Sequence, residues 1–206
     1  MNRLPLNEKI NPDETALLVI DIQIDFCSPE GLLAKRGRDL SLMEPMIGKL
    51  QNLIQYAEKH KVLTAYTQQI YDRTKLTDLQ KEQYDLDGKL ITCDINTEGY
   101  KFYKIDPPKD NIFVKHNFNA FSNQKLLETL QKNNSKTLII TGVDTQYCVE
   151  TAIRNGFDLG YKIVVPEDLI ATNANKLDMH NRTLELVRKV YGVVVTSADI
   201  LSAWEK

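Results

Sequence analysis

The sequence predicts an α/β protein, a three-layer α-β-α sandwich with a six-stranded parallel sheet at its centre. Short apolar runs alternate along the chain with longer segments whose apolar residues recur at the spacing of an amphipathic helix. The apolar runs are continuous rather than interrupted by polar residues, which is typical of strands buried on both faces. Strands that alternate with helices in this way form parallel sheets with helices on both sides.

Six apolar runs are predicted strands, at residues 16–20, 62–67, 112–114, 137–141, 161–165 and 192–196. The segment 42–59 has apolar residues at helical spacing and is the first predicted long helix. Ser122 is the expected N-cap of a helix through Leu126 and Leu130. Two further helices are predicted over 147–159 and 178–190.

Residues 70–110 interrupt this alternation. The segment is polar, contains the turn signal Asp87-Gly88 and ends in Asp106-Pro-Pro-Lys-Asp. An insertion of this length inside a compact domain usually has a function. We therefore predict a single domain over residues 1–206, with an insertion at about 70–110 that forms a lid or faces the substrate.

Composition excludes several classes of partner. The 206-residue chain has a formal net charge of −2 and no long block of one sign, so it offers no basic surface for nucleic acid. No apolar run approaches the ~20 residues of a membrane helix, and the N-terminus lacks the apolar core of a signal peptide. Cys27, Cys93 and Cys148 lack the spacing of a disulfide framework or a zinc site. These observations predict a cytoplasmic protein that binds neither nucleic acid nor a membrane.

Three residues that can take part in chemistry lie at or shortly after the ends of predicted strands. Asp21 and Lys115 each follow an apolar run, and Cys148 lies where a helix begins after the fourth strand. Since the carboxyl ends of parallel strands meet at one edge of a sheet, we expect the three side chains to converge there. A helix start favours the thiolate form of cysteine, which is the nucleophilic form. Taken singly, each residue has an ordinary explanation as a turn aspartate, a surface lysine or a packed cysteine.

Together the three residues suit acyl transfer from an amide to water. Cys148 is the nucleophile, Asp21 takes and returns its proton, and Lys115 keeps the carboxylate charged. Backbone N–H groups of the turn at 142–148 can stabilise the developing oxyanion, and one such donor typically lowers the barrier by ~3 kcal/mol.

Three motifs resemble those of the isochorismatase-like hydrolase superfamily, also called the cysteine hydrolase family. They are the run Leu18-Val-Ile-Asp21-Ile-Gln23-Ile-Asp25-Phe26, the segment from Val114-Lys115 to Phe121, and Thr141-Gly-Val-Asp-Thr-Gln-Tyr-Cys148-Val-Glu-Thr-Ala. The resemblance covers residues 16 to about 196 and is weakest in the insertion. It implies the family's parallel six-stranded sheet and a catalytic triad of Asp21, Lys115 and Cys148.

The resemblance further implies a non-proline cis peptide bond between Val143 and Asp144. The oxyanion would then be held by the backbone N–H groups of Asp144 and Cys148.

Members of the family differ in the bond that they cleave. Isochorismatases proper cleave a vinyl ether and lack the cysteine, so Cys148 favours the C–N hydrolases, which are nicotinamidases, N-carbamoyl amidohydrolases, and biuret and ureidoacrylate amidohydrolases. We predict hydrolysis of a small amide or ureido C–N bond through a thioester on Cys148. Two alternatives stay open, namely hydrolysis of a C–O (vinyl ether) bond and a non-catalytic binding protein on the same scaffold.

No metal or other cofactor is expected. Family nicotinamidases carry a metal site of aspartate and histidines after the second strand, whereas residues 66–72 contain no histidine here. His60, His116 and His180 are not spaced as a ligand set. No Gly-x-Gly-x-x-Gly motif follows a strand, which disfavours a dinucleotide cofactor.

The expected substrate pocket is lined by residues near the three motifs. Aromatic side chains there can wall the nucleophile or stack on a planar substrate, and a glutamine can hydrogen-bond an amide. The predicted substrate-binding residues are Phe26, Gln68, Phe118, Phe121 and Tyr147. The family resemblance also implies a homo-oligomer, either a dimer or a tetramer.

Overall fold

A parallel β-sheet forms the centre of the computed structural model, which describes residues 5–87 and 91–205. The strands are β1 (Thr15–Ile20), β2 (Leu63–Gln69), β3 (Ile112–Lys115), β4 (Thr137–Val143), β5 (Lys162–Pro166), β6 (Ile170–Ala171) and β7 (Gly192–Val195). Their order in the sheet is β3-β2-β1-β4-β5-β7. The short β6 pairs with the end of β4, beyond the residues that pair with β5.

Helices cover both faces of this sheet. They are α1 (Leu6–Lys9), α2 (Ile24–Cys27), α3 (Leu32–Lys35), α4 (Met43–Lys59), α5 (Asp78–Asp87), α6 (Gln124–Lys132), α7 (Glu150–Asp158), α8 (Leu177–Leu186) and α9 (Ser197–Trp204). The predicted α/β sandwich is thereby confirmed. Over the ranges described, none of the helices combines the length and the apolar character needed to cross a membrane.

The buried apolar side chains form two core clusters, one on each face of the sheet. In β1, Leu17 and Val19 point into one cluster, while Leu18 and Ile20 point into the other, because successive strand residues face opposite sides. The first cluster packs against α4 and α9, and the second packs against α6, α7 and α8. All six residues of β1 are buried, which explains why its sequence is continuously apolar.

Three local features differ from the sequence prediction. The two-residue β6 was not predicted, since so short a strand carries no pattern. The helix α6 is capped by Asn123, whose side chain accepts from the N–H of Leu126, rather than by Ser122, which ends a 3-10 turn. The predicted helices at 147–159 and 178–190 each overlap a π-helical turn, at 145–149 and 187–191.

Gln23 and Asp25, both in the first motif, attach the segment between β2 and β3 to the edge of the sheet. The Gln23 side chain donates to the carbonyl oxygens of Gln69 and Tyr100, at 2.8 and 2.7 Å. The Asp25 carboxylate accepts from the N–H of Cys93 at 2.7 Å and faces Gly99, where a Cβ atom would meet it at 2.1 Å. Over its described residues, the insertion contains α5, turns, two isolated bridges and the start of a 3-10 turn at Lys109–Asn111.

Gly142 allows β4 to lie close to β1 at the carboxyl-terminal edge of the sheet, where Asp21 and Lys115 are also found. Its φ angle is +110°, and a Cβ atom there would lie 2.1 Å from the carbonyl oxygen of Ile20. The positive φ angle and the lack of space for a Cβ atom both exclude any larger residue at position 142. Ile20 directly precedes Asp21, so this close approach helps to fix the position of that carboxylate.

We predict that Gly142→Ala lowers the free energy of unfolding by about 2 kcal/mol or more, because it adds backbone strain and a clash. Gly48→Ala is the matched control, since no atom lies within 4 Å of a Cβ at that position in α4. It should raise stability by about 0.5–1 kcal/mol. Denaturant unfolding measures both, and equal stabilities for the two variants would contradict the close approach.

Candidate active site

The carboxylate of Asp21 stands directly after β1, at the centre of the sheet edge. Asp21 has a φ angle of 52°, in the left-handed region that aspartate tolerates better than most residues. Its Oδ1 accepts a hydrogen bond from Thr67 Oγ1 at 2.7 Å. The side chain is fully buried, so a charged carboxylate here requires partners.

Lys115 supplies the main partner. It is the last residue of β3, and β2 lies between β3 and β1, so its side chain reaches across β2 to the centre of the sheet. Its Nζ lies 2.7 Å from Asp21 Oδ2 and 3.3 Å from Cys148 Sγ. The same ammonium donates hydrogen bonds to Gln69 Oε1 at 2.8 Å and to the carbonyl oxygen of Asn117 at 3.1 Å. The Lys115 ammonium therefore contacts both the Asp21 carboxylate and the Cys148 sulfur.

Cys148 comes from the far side of β1, in the π-helical turn at 145–149 that follows β4. The carbonyl oxygen of Asp144 accepts from the N–H groups of Tyr147 and Val149 within this turn. Cys148 retains 6% of its surface exposed. The three predicted residues thus meet at one edge of the sheet, and a small part of Cys148 reaches solvent.

Electrostatics at the site favour an ammonium and a thiol in the resting protein. Burial raises the pKa of the Cys148 thiol well above its ordinary value, the Asp21 carboxylate raises it further, and Lys115 lowers it. Burial alone would lower the pKa of Lys115, but Asp21 and Cys148 offset this, so its pKa lies above the ordinary value. The helix start that favours a thiolate is opposed here by burial, which is the larger effect on the pKa of Cys148.

The turn that contains Cys148 is anchored by an ion pair at its start. The peptide bond between Val143 and Asp144 is cis. Arg38 Nη1 donates to Asp144 Oδ2 at 3.0 Å, and Nη2 donates to Oδ1, which makes the pair bidentate. The two side chains are only 5% and 15% exposed. Arg38 lies in the loop after α3, so the pair ties that loop to the turn at 145–149.

Phe26 and Gln68 do not touch the triad in the contacts described. Phe26 is partly buried and packs against the core cluster of α4 and against Tyr71, Leu76 and Cys93. The Gln68 side chain donates to the carbonyl oxygen of Tyr100 at 3.1 Å, so it ties the insertion to β2. Both residues remain predictions as substrate contacts.

Phe118 and Tyr147 are the aromatic residues that the structure leaves open to solvent near the site. They are 51% and 42% exposed, and their rings stack at 6.0 Å between centroids. Phe121 is instead buried in the core and stacks on Tyr161. Its role as a substrate-binding residue stays a prediction, and its ring packs in the core cluster that also contains residues of α7 and β5.

Sequence reasoning missed several residues that complete the site. Thr67 and Gln69 contact Asp21 and Lys115, whereas Gln68 between them points the other way. The two-residue period of a strand was the available signal, since it places residues 67 and 69 on one face. Arg38 had no local signal, because it is 106 residues away from Asp144 in the chain.

The three histidines occupy separate surroundings. His116 contacts the carbonyl oxygen of Ile70 through Nδ1, and His180 contacts Thr145 Oγ1. His60 packs between the rings of Tyr56 and Trp204. Across residues 5–87 and 91–205, no group of three or more histidine, cysteine, aspartate or glutamate side chains is arranged to hold a metal ion.

Known proteins resemble this chain over most of its length. A family model described as the isochorismatase domain matches residues 15–199. The chain is 24% identical over 216 aligned positions to the ureidoacrylate amidohydrolase RutB of Acinetobacter baylyi, covering 96% of this chain and 86% of that protein.

Solved structures show the same fold. A cysteine hydrolase from Pseudomonas syringae pv. phaseolicola superposes with a TM-score of 0.81 at 24% identity, covering 96% of this chain and 95% of the other. The N-carbamoylsarcosine amidase of Thermoplasma acidophilum gives a TM-score of 0.69 at 18% identity, with 89% and 96% covered.

We predict that Cys148 ionises only above the ordinary cysteine pKa of about 8.5. A raised pKa means that the thiol keeps its proton as the pH rises past that value. The ultraviolet absorbance of the thiolate, taken as wild type minus Cys148→Ser, should therefore be absent at neutral pH and emerge only in alkaline solution. A thiolate signal at neutral pH would contradict the resting state described above.

We also predict that Arg38→Ala lowers the free energy of unfolding by about 3 kcal/mol, because it leaves the mostly buried Asp144 carboxylate uncompensated. Arg73→Ala is the matched control. Its ion pair with Asp85 is exposed on both sides, so its loss should change stability by less than about 1 kcal/mol. Equal effects in urea unfolding would argue against an anchoring role for Arg38.

Proposed function

This chain belongs to the isochorismatase family, and we propose that it is a cysteine hydrolase of a small-molecule amide or ureido C–N bond. The observation that carries the proposal is the position of Lys115 Nζ, within 2.7 Å of Asp21 Oδ2 and 3.3 Å of Cys148 Sγ. Folding does not require a buried carboxylate, ammonium and thiol to meet, since desolvating charges opposes stability. A catalytic role explains why a carboxylate, an ammonium and a thiol are brought together here.

In the acylation step, the Asp21 carboxylate takes the proton of the Cys148 thiol as the sulfur attacks the carbonyl carbon. The new thiolate forms beside Lys115, whose positive charge stabilises it. The S–C bond forms and the C–N bond breaks. The proton held by Asp21 passes to the departing nitrogen, which leaves as ammonia or an amine, and a thioester remains on Cys148.

In the deacylation step, water attacks the thioester carbonyl while Asp21 accepts a proton from it. The C–S bond breaks, the sulfur leaves as a thiolate beside Lys115, and the proton returns to it. A ureido substrate yields a carbamic acid, which decomposes to carbon dioxide and an amine or ammonia. Asp21 thus acts as base and acid in turn, and the site returns to its resting state.

The oxyanion of both steps needs hydrogen-bond donors at the nucleophile turn. We assign this role to the backbone N–H groups of Asp144 and Cys148. The hydrogen bonds from Tyr147 and Val149 to the Asp144 carbonyl oxygen, together with the Arg38 pair, fix the turn before substrate arrives. Fixed donors stabilise developing charge without reorganisation.

The insertion at 70–110 is proposed to act as a lid over this edge of the sheet. Its helix α5 carries Tyr84, whose ring meets Tyr71 edge-on at 5.4 Å between centroids. Gln23, Asp25 and Gln68 attach its later part to the sheet, as described above. A homo-oligomer remains a prediction from the family resemblance.

We predict that Cys148→Ala and Cys148→Ser lower turnover by at least about a thousandfold, because no other group can form the thioester. Ammonia release is measured over nicotinamide, N-carbamoyl amino acids, biuret and ureido acids, and the acyl-enzyme is sought by mass spectrometry. Cys27→Ala is the matched control, since Cys27 is also buried but belongs to α2 and is not one of the three residues that meet at the site.

Substantial activity in Cys148→Ala would refute the covalent mechanism. Turnover of a vinyl ether without release of ammonia would favour the C–O alternative. Circular dichroism and thermal unfolding of each variant separate a loss of chemistry from a loss of fold.

A further inference from the structure

The ammonium of Lys115 has more hydrogen-bond acceptors around it than protons to donate. Four acceptor atoms surround Nζ, namely Asp21 Oδ2 at 2.7 Å, Gln69 Oε1 at 2.8 Å, the carbonyl oxygen of Asn117 at 3.1 Å and Cys148 Sγ at 3.3 Å. A lysine ammonium carries three N–H groups. The acceptors therefore compete for these protons, and the sulfur of a neutral thiol is the weakest acceptor among them.

Gln69 is held in place by its backbone as well as by its side chain. It lies opposite Lys115 in the pairing of β2 with β3. The carboxamide of Gln23 binds the Gln69 backbone twice, because Gln23 Oε1 accepts from its N–H and Gln23 Nε2 donates to its carbonyl oxygen, each at 2.8 Å. Both glutamines are buried. The fold therefore fixes the strand position from which Oε1 reaches the ammonium.

The side-chain amide of Gln69 is paired at one end only. Its Oε1 faces Lys115, whereas its Nε2 is buried and has no acceptor among the described residues. A buried N–H group without a partner opposes folding. An apolar side chain of similar length would avoid that cost, so stability does not explain a glutamine at this position. The contact between Oε1 and the ammonium gives a chemical reason for it.

The competition among the acceptors changes when the proton of the thiol moves. In the resting protein the Asp21 carboxylate carries the negative charge, and Gln69 and Asn117 take N–H groups that the sulfur could otherwise accept. Once the proton passes from Cys148 to Asp21, the carboxylic acid is neutral and the sulfur is the anion. The N–H that faced Asp21 can then turn to the thiolate, while the other two stay where they are. The exchange conserves both protons and charge.

We propose that Gln69 is a positioning residue, which occupies one N–H of Lys115 in the resting protein so that the sulfur gains a donor only when Asp21 takes its proton. This inference rests on the proposed function, because it concerns the proton balance of the same three residues. A neutral acceptor suits this role. A carboxylate at position 69 would compete with the thiolate and repel it, whereas an apolar residue would free an N–H for the sulfur.

Other titratable groups near the triad keep one charge state around neutral pH. Tyr71 follows β2, Tyr84 belongs to α5 and Cys93 lies in the insertion. Burial raises the pKa of each of these three groups, so they stay protonated and neutral. Burial lowers the pKa of His180, which reaches Thr145 from α8, so this imidazole is neutral at pH 7.

The charged groups on either side of the turn at 145–149 are already paired. Asp144 before the turn forms its ion pair with Arg38, and Glu150 after the turn forms one with Arg154. A change in thiol reactivity caused by a substitution at position 69 therefore reports on the triad itself.

Alkylation of Cys148 tests the proposal without a substrate. Its reaction with iodoacetamide is followed over a range of pH through the tryptic peptide 137–154, in which Cys148 is the one cysteine. Below the apparent pKa, the rate follows the thiolate fraction. At neutral pH we expect Gln69→Leu to react about tenfold faster than the wild type and Gln69→Glu about tenfold slower, since each changes a hydrogen bond to a charged group.

Thr15→Val is the control for this experiment. Thr15 is also buried and its hydroxyl has no partner among the described residues, but it begins β1, at the opposite end from Asp21. Its alkylation rate should match that of the wild type. Gln69→Met repeats the test with a second apolar side chain, and thermal unfolding checks that each variant is folded. Shifts of the same sign in Gln69→Leu and Gln69→Glu, or unchanged rates in both, would overturn the role of Gln69.

The pH profile of turnover gives a second readout. Ammonia release from nicotinamide, N-carbamoyl amino acids, biuret and ureido acids is measured as kcat/KM against pH. The alkaline limb should move to lower pH in Gln69→Leu, because the Lys115–Cys148 pair loses its proton more readily, and to higher pH in Gln69→Glu. KM should stay near the wild-type value, because the buried Gln69 side chain contacts Lys115 rather than solvent.

The two readouts separate this inference from the proposed function. Opposite shifts in alkylation without turnover of any of these compounds keep the role of Gln69 and refute the hydrolase. Turnover with identical alkylation curves in all variants keeps the hydrolase and refutes the role of Gln69.

Discussion

The buried ion pair between Lys115 and Asp21 is the interaction on which the rest of the site depends. Both side chains are fully removed from solvent, and the cost of desolvating each charge is several kcal/mol to order of magnitude. That cost is offset only because the two charges touch and because Thr67, Gln69 and Asn117 complete their hydrogen bonds. Strand order supplies the geometry, since β1 lies between the strands that deliver the lysine and the cysteine.

The sequence was sufficient for six of the seven described strands, the parallel sheet and the convergence of Asp21, Lys115 and Cys148. These follow from hydrophobic continuity and from polar residues at strand ends, which are local signals. The raised pKa of the Cys148 thiol could not be predicted, because a helix start is visible in sequence whereas burial is a property of the folded chain. The burial of Phe121 was hidden for the same reason, since only the fold shows which aromatic rings the helices cover.

Contacts between loops that no strand pairing brings together could not be predicted from one sequence. The pairing of Arg38 with Asp144 joins two such loops, and nothing near either residue indicates the other. The pair nevertheless restrains the turn that contains Cys148. Preorganisation of the site therefore depends partly on a residue that takes no part in bond making.

The carboxamide of Gln23 fastens the segment between Tyr71 and Tyr100 to the sheet, through the carbonyl oxygens of Gln69 and Tyr100 and a contact of 3.5 Å with Cys93 Sγ. A hydrogen bond to a backbone carbonyl group does not depend on which side chain that residue carries. The neighbouring Asp25 carboxylate, by contrast, leaves no room for a Cβ atom at position 99. Tolerance to substitution along this stretch is therefore uneven, high where only a carbonyl oxygen is held and lowest at the glycine.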